Sequence, residues 1–304
     1  MSSTILAPTD FSDKSAHALR MAASYAMAYG ANLCCLHVVE ELDEGSSWLL
    51  LVEPPEQIER DVVEARAQRL ADFVSKHLPH DFPADRLEQR VVVGSAIDEI
   101  LATARQIEDT SLIVVGSVGH GVVMATFLGS TSNQLVRQSP IPVMVVPPDD
   151  RHDVRFDHIL APVDDSEASK HSLQIAAKFA HTTGARVTAL HAMDTTLAGA
   201  GDPGFPVYIG PGTLEALAQQ RQLWLDELAA HDPAFEDIIT DTKLSYEDPA
   251  RAIDEFAREQ DVDLICIGSH GRRGVRRFLL GNTAERILRK APCPVLVIPA
   301  KTEE

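Results

Sequence analysis

Hydrophobic positions along this chain fall into short apolar runs separated by longer amphipathic stretches, and the two kinds alternate. Residues 5–7 form a short apolar run, residues 32–39 a nearly continuous one, residues 111–116 and 143–146 two more, and residues 89–94 a further, more polar strand. Runs of that length without polar alternation are expected of strands covered on both faces. Between them, residues 13–30, 57–77, 96–106 and 130–138 carry apolar residues at helical spacing. Ser12 stands where an N-cap is wanted and Gly30 where a helix should stop. Five strands alternating with four helices predict an α/β domain with a doubly wound parallel sheet.

The whole pattern then occurs again. Ile5-Leu6-Ala7-Pro8-Thr9-Asp10 recurs as Ile159-Leu160-Ala161-Pro162-Val163-Asp164, at an offset of 154 residues. Gly30-Ala31 recurs as Gly184-Ala185, and Leu36-His37 as Leu190-His191. Residues 97–100, 112–117 and 140–143 match 253–256, 264–269 and 292–295, so six matches lie in order at offsets between 152 and 156. Such self-similarity marks a duplicated unit. Two domains, 1–148 and 155–302, follow, joined by the polar, proline-bearing run 147–153. A length of 304 residues suits two domains, each able to bury its own core.

Composition narrows the class. Apolar residues make up 45% and charged residues 24%, ordinary values for a globular protein. The net charge of −18 argues against a nucleic-acid surface and against an anionic membrane surface. No apolar stretch is long enough to cross a bilayer, and the first residues lack the basic and apolar regions of a signal peptide. Cys34, Cys35, Cys266 and Cys293 form no C-x-x-C pair and sit in apolar runs, so buried free thiols in a reducing cytoplasm are expected.

Candidate chemistry gathers after the fourth strand of each copy. Copy one reads Gly116-Ser117-Val118-Gly119-His120-Gly121, and nine residues after Gly119 comes Gly129-Ser130-Thr131 at a predicted helix start. Copy two reads Gly268-Ser269-His270-Gly271, then nine residues, then Gly281-Asn282-Thr283. Glycines there permit close backbone approach and positive φ. The amides of Gly129, Ser130 and Thr131 are then expected to face an anion such as a phosphate, aided by the helix dipole. The alternative is that the glycines only make tight turns. The loop is neither a Walker A loop nor a dinucleotide fingerprint. Asp10 and Asp164 stand at the tip of the first strand, either as acceptors for a ribose or base or as parts of a helix cap. His37 and His191 end the second strands and read as buried structural residues. His120 and His270 lie in the glycine loops with no identifiable acid partner, and no G-x-S-x-G elbow occurs. Arg272, Arg273, Arg276 and Arg277 follow the loop of copy two, as a phosphate clamp or as a solvated face; copy one has no cation there.

Taken together, four features resemble the universal stress protein family. They are the opening Ile-Leu-x-Pro-x-Asp, the Leu-His ending the second strand, the Gly-Ser-x-Gly loop with Gly-Ser nine residues on, and the closing Pro-x-Pro-Val-x-Val-x-Pro. The resemblance covers nearly the whole chain, twice. It implies two Rossmann-like (adenine nucleotide alpha hydrolase-like) five-stranded parallel-sheet domains in tandem. Some members of that family bind ATP and others none. The implied ligand is therefore a nucleotide, ATP, with or without Mg2+. In copy one Pro8, Thr9, Asp10 and Val38 match the adenosine-side positions. Val115, Gly116, Gly119, Gly129, Ser130 and Thr131 match the phosphate side. In copy two the matching positions are Pro162, Val163, Asp164, Ala192, Ile267, Gly268, Gly271, Gly281, Asn282 and Thr283. Copy two departs at Asn282, where the motif has Ser or Thr, and at Ala192, which replaces Val38.

The resemblance also implies pairing through the last strands, so residues 143–146 and 295–298 are expected to pair within the chain and the chain itself to form a homodimer. The glycine- and proline-rich residues 195–212 and the apolar run 48–51 in copy one read as loops over the pocket mouth. Three functions stay open: a stress-response binding module without robust catalysis, a slow ATP hydrolase or nucleotidyl- or phosphoryl-transfer enzyme, and an interaction protein that binds no nucleotide.

Overall fold

A computed structural model of the chain describes residues 3–40, 55–117, 128–148, 156–164, 166–192, 211–231, 239–269 and 280–299. The chain divides into two compact units, Met1–Val154 and Arg155–Glu304. In unit 1 the order is β1 (Thr4–Pro8), α1 (Asp13–Tyr29), β2 (Asn32–Val39), α2 (Pro55–His77), β3 (Leu87–Val93), α3 (Ala96–Gln106), β4 (Thr110–Gly116), α4 (Ser130–Gln138) and β5 (Val143–Val146). In unit 2 it is β6 (His158–Pro162), α5 (Glu167–Thr183), β7 (Arg186–Ala192), α6 (Pro211–His231), β8 (Ile239–Ser245), α7 (Pro249–Glu259), β9 (Leu264–Gly268), α8 (Asn282–Lys290) and β10 (Val295–Ile298).

The strands of unit 1 lie in the order β3-β2-β1-β4-β5, all parallel. Unit 2 repeats this as β8-β7-β6-β9-β10. The chain therefore builds outward from β1 through β2 to β3, then returns to place β4 on the other edge of β1. Helices α1 and α2 touch each other, as do α3 and α4, and each pair packs on the sheet. The double cover explains why Leu33, Cys34, Cys35 and Leu36 are all buried despite alternating faces. The four cysteines are free and buried. Burial pushes the Cys34 thiol up to about 12, so it is no nucleophile at neutral pH.

Local sequence explains the helix ends. The Ser12 hydroxyl accepts from the Ser15 amide at 3.1 Å, and Ser166 does the same for Ser169 at 3.2 Å. Gly30 and Gly184 end α1 and α5 in the left-handed region, at φ 62° and 75°. Small residues, Ala16, Ala22, Ala23 and Ala26, form the buried side of α1 and let it lie close to the strands.

Several boundaries differ from the sequence expectation. Strand β3 begins two residues earlier than 89, because Leu87 and Glu88 pair with Leu33 and Cys34. It ends before Gly94, whose φ of 148° turns the chain although its amide still reaches Val39 O at 2.9 Å. Helix α6 starts at Pro211, so the end of the 195–212 stretch is helical, with proline at a first-turn position it tolerates. The rest of that stretch and residues 48–51 lie outside the described residues.

Candidate functional site

Because β1 has β2 on one edge and β4 on the other, the chain reverses its direction of sheet growth between β1 and β4. In open parallel sheets that reversal leaves a crevice at the carboxyl ends of the two strands. In unit 1 the crevice is bounded by the turn Pro8-Thr9-Asp10-Phe11-Ser12, by Val115-Gly116-Ser117, and by the start of α4. These are the stretches in which the sequence pattern concentrated its candidates.

The first turn is held from several sides. The Thr9 amide donates to Leu36 O at 2.8 Å, extending the β1–β2 ladder past its last pair. The imidazole Nδ1 of His37 donates to the Thr9 carbonyl at 2.8 Å. The Thr9 hydroxyl meets the Ser15 hydroxyl at 2.9 Å and accepts the Phe11 amide at 3.0 Å. Phe11 is left-handed at φ 64°, which a residue with a side chain adopts only when its surroundings hold it there. Those surroundings are visible: its ring lies 4.1 Å from the His37 ring, centroid to centroid, and the Arg69 guanidinium lies 4.4 Å above it. Burial holds the His37 imidazole below its ordinary pKa. The Thr9 hydrogen bond and Asp10 oppose that shift, while Arg66 and Arg69 add to it. His37 is thus neutral at pH 7, as the buried reading of the strand-end histidine expected.

Asp10 is exposed at the tip, and one carboxylate oxygen accepts both the amide and the hydroxyl of Ser12, at 3.0 and 2.6 Å. The acid therefore shapes the cap of α1, the structural one of its two expected roles, while remaining at the crevice mouth.

The phosphate-side glycines behave differently from expectation. Positive φ was expected of them, yet Gly129 and Gly281 have φ of −59° and −63°. Gly116 and Gly268 are also absent from the left-handed glycines, which among the described residues are Gly30, Gly94 and Gly184. The reason for glycine at 116 is close approach. A Cβ there would lie 3.2 Å from the carbonyl oxygen and 3.3 Å from the carbonyl carbon of Lys14, both backbone atoms of α1. Gly268 meets the carbonyl of Ala168 in the same way, at 3.2 Å.

A second correction concerns donors. The Gly129 amide is not available to a ligand, because it donates to Ser117 O at 2.7 Å, and the Gly281 amide donates to Ser269 O at 2.8 Å. Among the described residues, no acceptor is seen for the first-turn amides of Ser130, Thr131 and Ser132 at α4. No side chain caps α4 or α8, nor α3, whereas Ser12, Ser166 and Asp248 cap α1, α5 and α7. Ser132, which the sequence reading passed over, donates its hydroxyl to Gly116 O at 2.6 Å and ties the α4 start to the β4 tip. Only its place three residues past Gly129, in the first turn of the predicted helix, hinted at this.

Unit 2 builds the same crevice with substitutions. Val163 N donates to Leu190 O and His191 Nδ1 to Val163 O, both at 2.8 Å. Val163 has no hydroxyl, so Ser169 Oγ turns to the Asp164 backbone instead, donating to its carbonyl at 2.6 Å and accepting its amide at 3.1 Å. Trp224 from α6 stands edge-on to His191 at 5.3 Å between centroids, where in unit 1 the tilted ring of Phe11 meets His37. Ala284 replaces Ser132, and the β9–α8 tie by a hydroxyl is missing.

Of the sequence-predicted positions, Pro8, Thr9, Asp10, Val115, Gly116, Gly129, Ser130 and Thr131 gather at the crevice of unit 1, with Val38 at the half-buried end of β2. Pro162, Val163, Asp164, Ile267, Gly268, Gly281, Asn282, Thr283 and Ala192 take the matching places in unit 2. Gly119, Gly271, His120, His270 and the four loop arginines lie outside the described residues. Among the described residues no three His, Cys, Asp or Glu side chains gather as a metal site, and no helix is long and apolar enough to cross a membrane.

Comparison with known proteins agrees with the duplication. The model of the universal stress protein family matches residues 1–147 and again 155–299. A universal stress protein of Mycolicibacterium smegmatis is 28% identical over 300 residues, covering 97% of this chain and 96% of that protein. One of Mycobacterium bovis is 30% identical over 193 residues, 62% of each chain. The crystal structure of a universal stress protein from Archaeoglobus fulgidus superposes with a TM-score of 0.66 at 20% identity, over 98% of this chain and 99% of that one.

Proposed function

Because the chain belongs to the universal stress protein family over both of its units, we propose that it is a nucleotide-binding stress-response module. Unit 1 binds ATP in the crevice between β1 and β4 and does not turn it over appreciably. The observation that carries this reading is the start of α4. Its amides at Ser130, Thr131 and Ser132 have no side-chain cap, and they sit at the switch point of a parallel sheet beside an acid-tipped turn. An uncapped helix start there suits a phosphate.

In this reading Asp10 and the backbone of Thr9 and Val38 take the adenosine, while Gly116 and the α4 amides take the phosphates. Unit 2 offers the same crevice with Asn282 in place of Ser130 and without the Ser132 hydroxyl, so it is the weaker site. Titration calorimetry of the full chain with ATP tests the proposal. Saturable heat is expected, with a thermal shift that grows with ligand concentration; at about 100 times Kd the linkage amounts to ~2.7 kcal/mol. Absence of both at millimolar ATP overturns it.

A further inference from the structure

In unit 1 the stem of a lysine lies against the β4 tip, a contact that no spacing along the sequence revealed. Lys14 is in the first turn of α1, and its Cβ lies 3.5 Å from the point where a Gly116 Cβ would be. Its carbonyl is closer still, at 3.2 Å. Gly116 thus leaves nothing between the β4 tip and the lysine stem. Long side chains in a helix lean toward its N-terminus. For α1 that direction is the carboxyl edge of the sheet, because α1 follows β1 directly. The residue is half-buried, in keeping with a stem packed on the strand and a head carried beyond it.

On the other side of the same peptide, Gly116 O accepts the Ser132 hydroxyl at 2.6 Å. Helix α1 packs with α2 on the sheet, and α4 with α3. The Gly116 peptide is therefore held between Lys14 of one layer and Ser132 of the other. The β4 tip thus has the lysine stem of α1 on one side and the first turn of α4 on the other. In unit 2 the residue at the same contact is Ala168.

We infer that Lys14 is a phosphate ligand of unit 1 and sets its preference for a nucleoside triphosphate over the bare nucleoside, a preference unit 2 lacks at this position. The inference rests on the nucleotide-site reading of the crevice given above.

The test is calorimetry on the full chain with ATP and with adenosine, for the wild type, Lys14→Ala, Lys14→Gln and Lys14→Arg. Loss of one charge-assisted hydrogen bond to phosphate corresponds to a loss of about tenfold or more. Lys14→Ala and Lys14→Gln are expected to weaken ATP by that factor while leaving adenosine within about twofold, and to flatten the salt dependence of ATP binding. Lys14→Arg is expected to keep the preference. Lys14→Gln retains most of the stem, so it separates charge from packing if the alanine variant folds poorly. The reciprocal Ala168→Lys is expected to raise the ATP-to-adenosine affinity ratio of unit 2. Wild-type binding with the ratio unchanged in Lys14→Gln, or an equal loss for ATP and adenosine, overturns the role of Lys14 and leaves the site reading standing. A wild-type chain that binds neither ligand overturns both.

Discussion

The Nδ1 atom of His37 donates to the carbonyl oxygen of Thr9 at 2.8 Å, and His191 repeats the contact on Val163 at the same distance. A strand-end histidine thus pins the start of the β1–α1 turn in unit 1 and of the β6–α5 turn in unit 2. Removing the donor strands a buried carbonyl. His37→Ala is expected to cost about 1–3 kcal/mol of unfolding free energy, measured by urea titration. A loss indistinguishable from zero would mean that water or a neighbour replaces the imidazole without penalty.

The same histidine predicts a pH dependence. Its pKa in the folded protein lies below the ordinary 6.5, burial being the main cause. Above 6.5 both folded and unfolded imidazoles are neutral and nothing is lost. As pH falls through 6.5, the unfolded chain takes up a proton that the folded one resists, so stability declines until the folded pKa is reached. Residue-resolved NMR titration should place the His37 midpoint below that of an exposed imidazole. A midpoint at or above 6.5 contradicts this reading of its burial.

Glycine 116 is explained by packing against α1, not by backbone conformation. Gly116→Ala pushes a methyl group against the Lys14 carbonyl, which is backbone and yields only if α1 moves. A cost of about 1–3 kcal/mol is expected, with a similar cost for Gly268→Ala. Gly212, in the first turn of α6, has nothing within 4 Å of its would-be Cβ. Gly212→Ala should be neutral or stabilise by up to about 1 kcal/mol. Equal effects at 116 and 212 in thermal denaturation would remove the packing explanation.

Ser132 ties α4 to the β4 tip at 2.6 Å. Ser132→Ala, the residue unit 2 already carries at 284, should lower stability by only about 0.5–1.5 kcal/mol. Faster hydrogen exchange is expected at the start of α4, with the rest of the unit unchanged. Slowed or unchanged exchange there would show that the tie does not order the helix start.

These residues also mark how far the sequence could be read. The duplication and the strand–helix order were plain because apolar runs covered on both faces, such as 33–36, leave a signal that tertiary contacts do not alter. The gathering of Asp10 and Gly116 followed from the parallel topology. What the sequence hid was contact across layers. Lys14 is more than 100 residues from Gly116, and nothing in its neighbourhood marks it as crevice-facing. The left-handed Phe11 was invisible for a similar reason, since the His37 and Arg69 side chains that hold it come from two other elements. The glycine motif was legible as a motif but misread in part, because spacing shows where glycines stand and not whether φ or steric room requires them.

The most direct test of the account is the response of the Ser130, Thr131 and Ser132 backbone amides to ATP in a two-dimensional NMR titration of the full chain. Saturable shifts of these three, together with Asp10 and Gly116, are predicted, and the Gly129 amide, already bonded to Ser117, should move less. Unmoved amides at the α4 start in millimolar ATP would contradict the claim that the β1–β4 crevice is a nucleotide site.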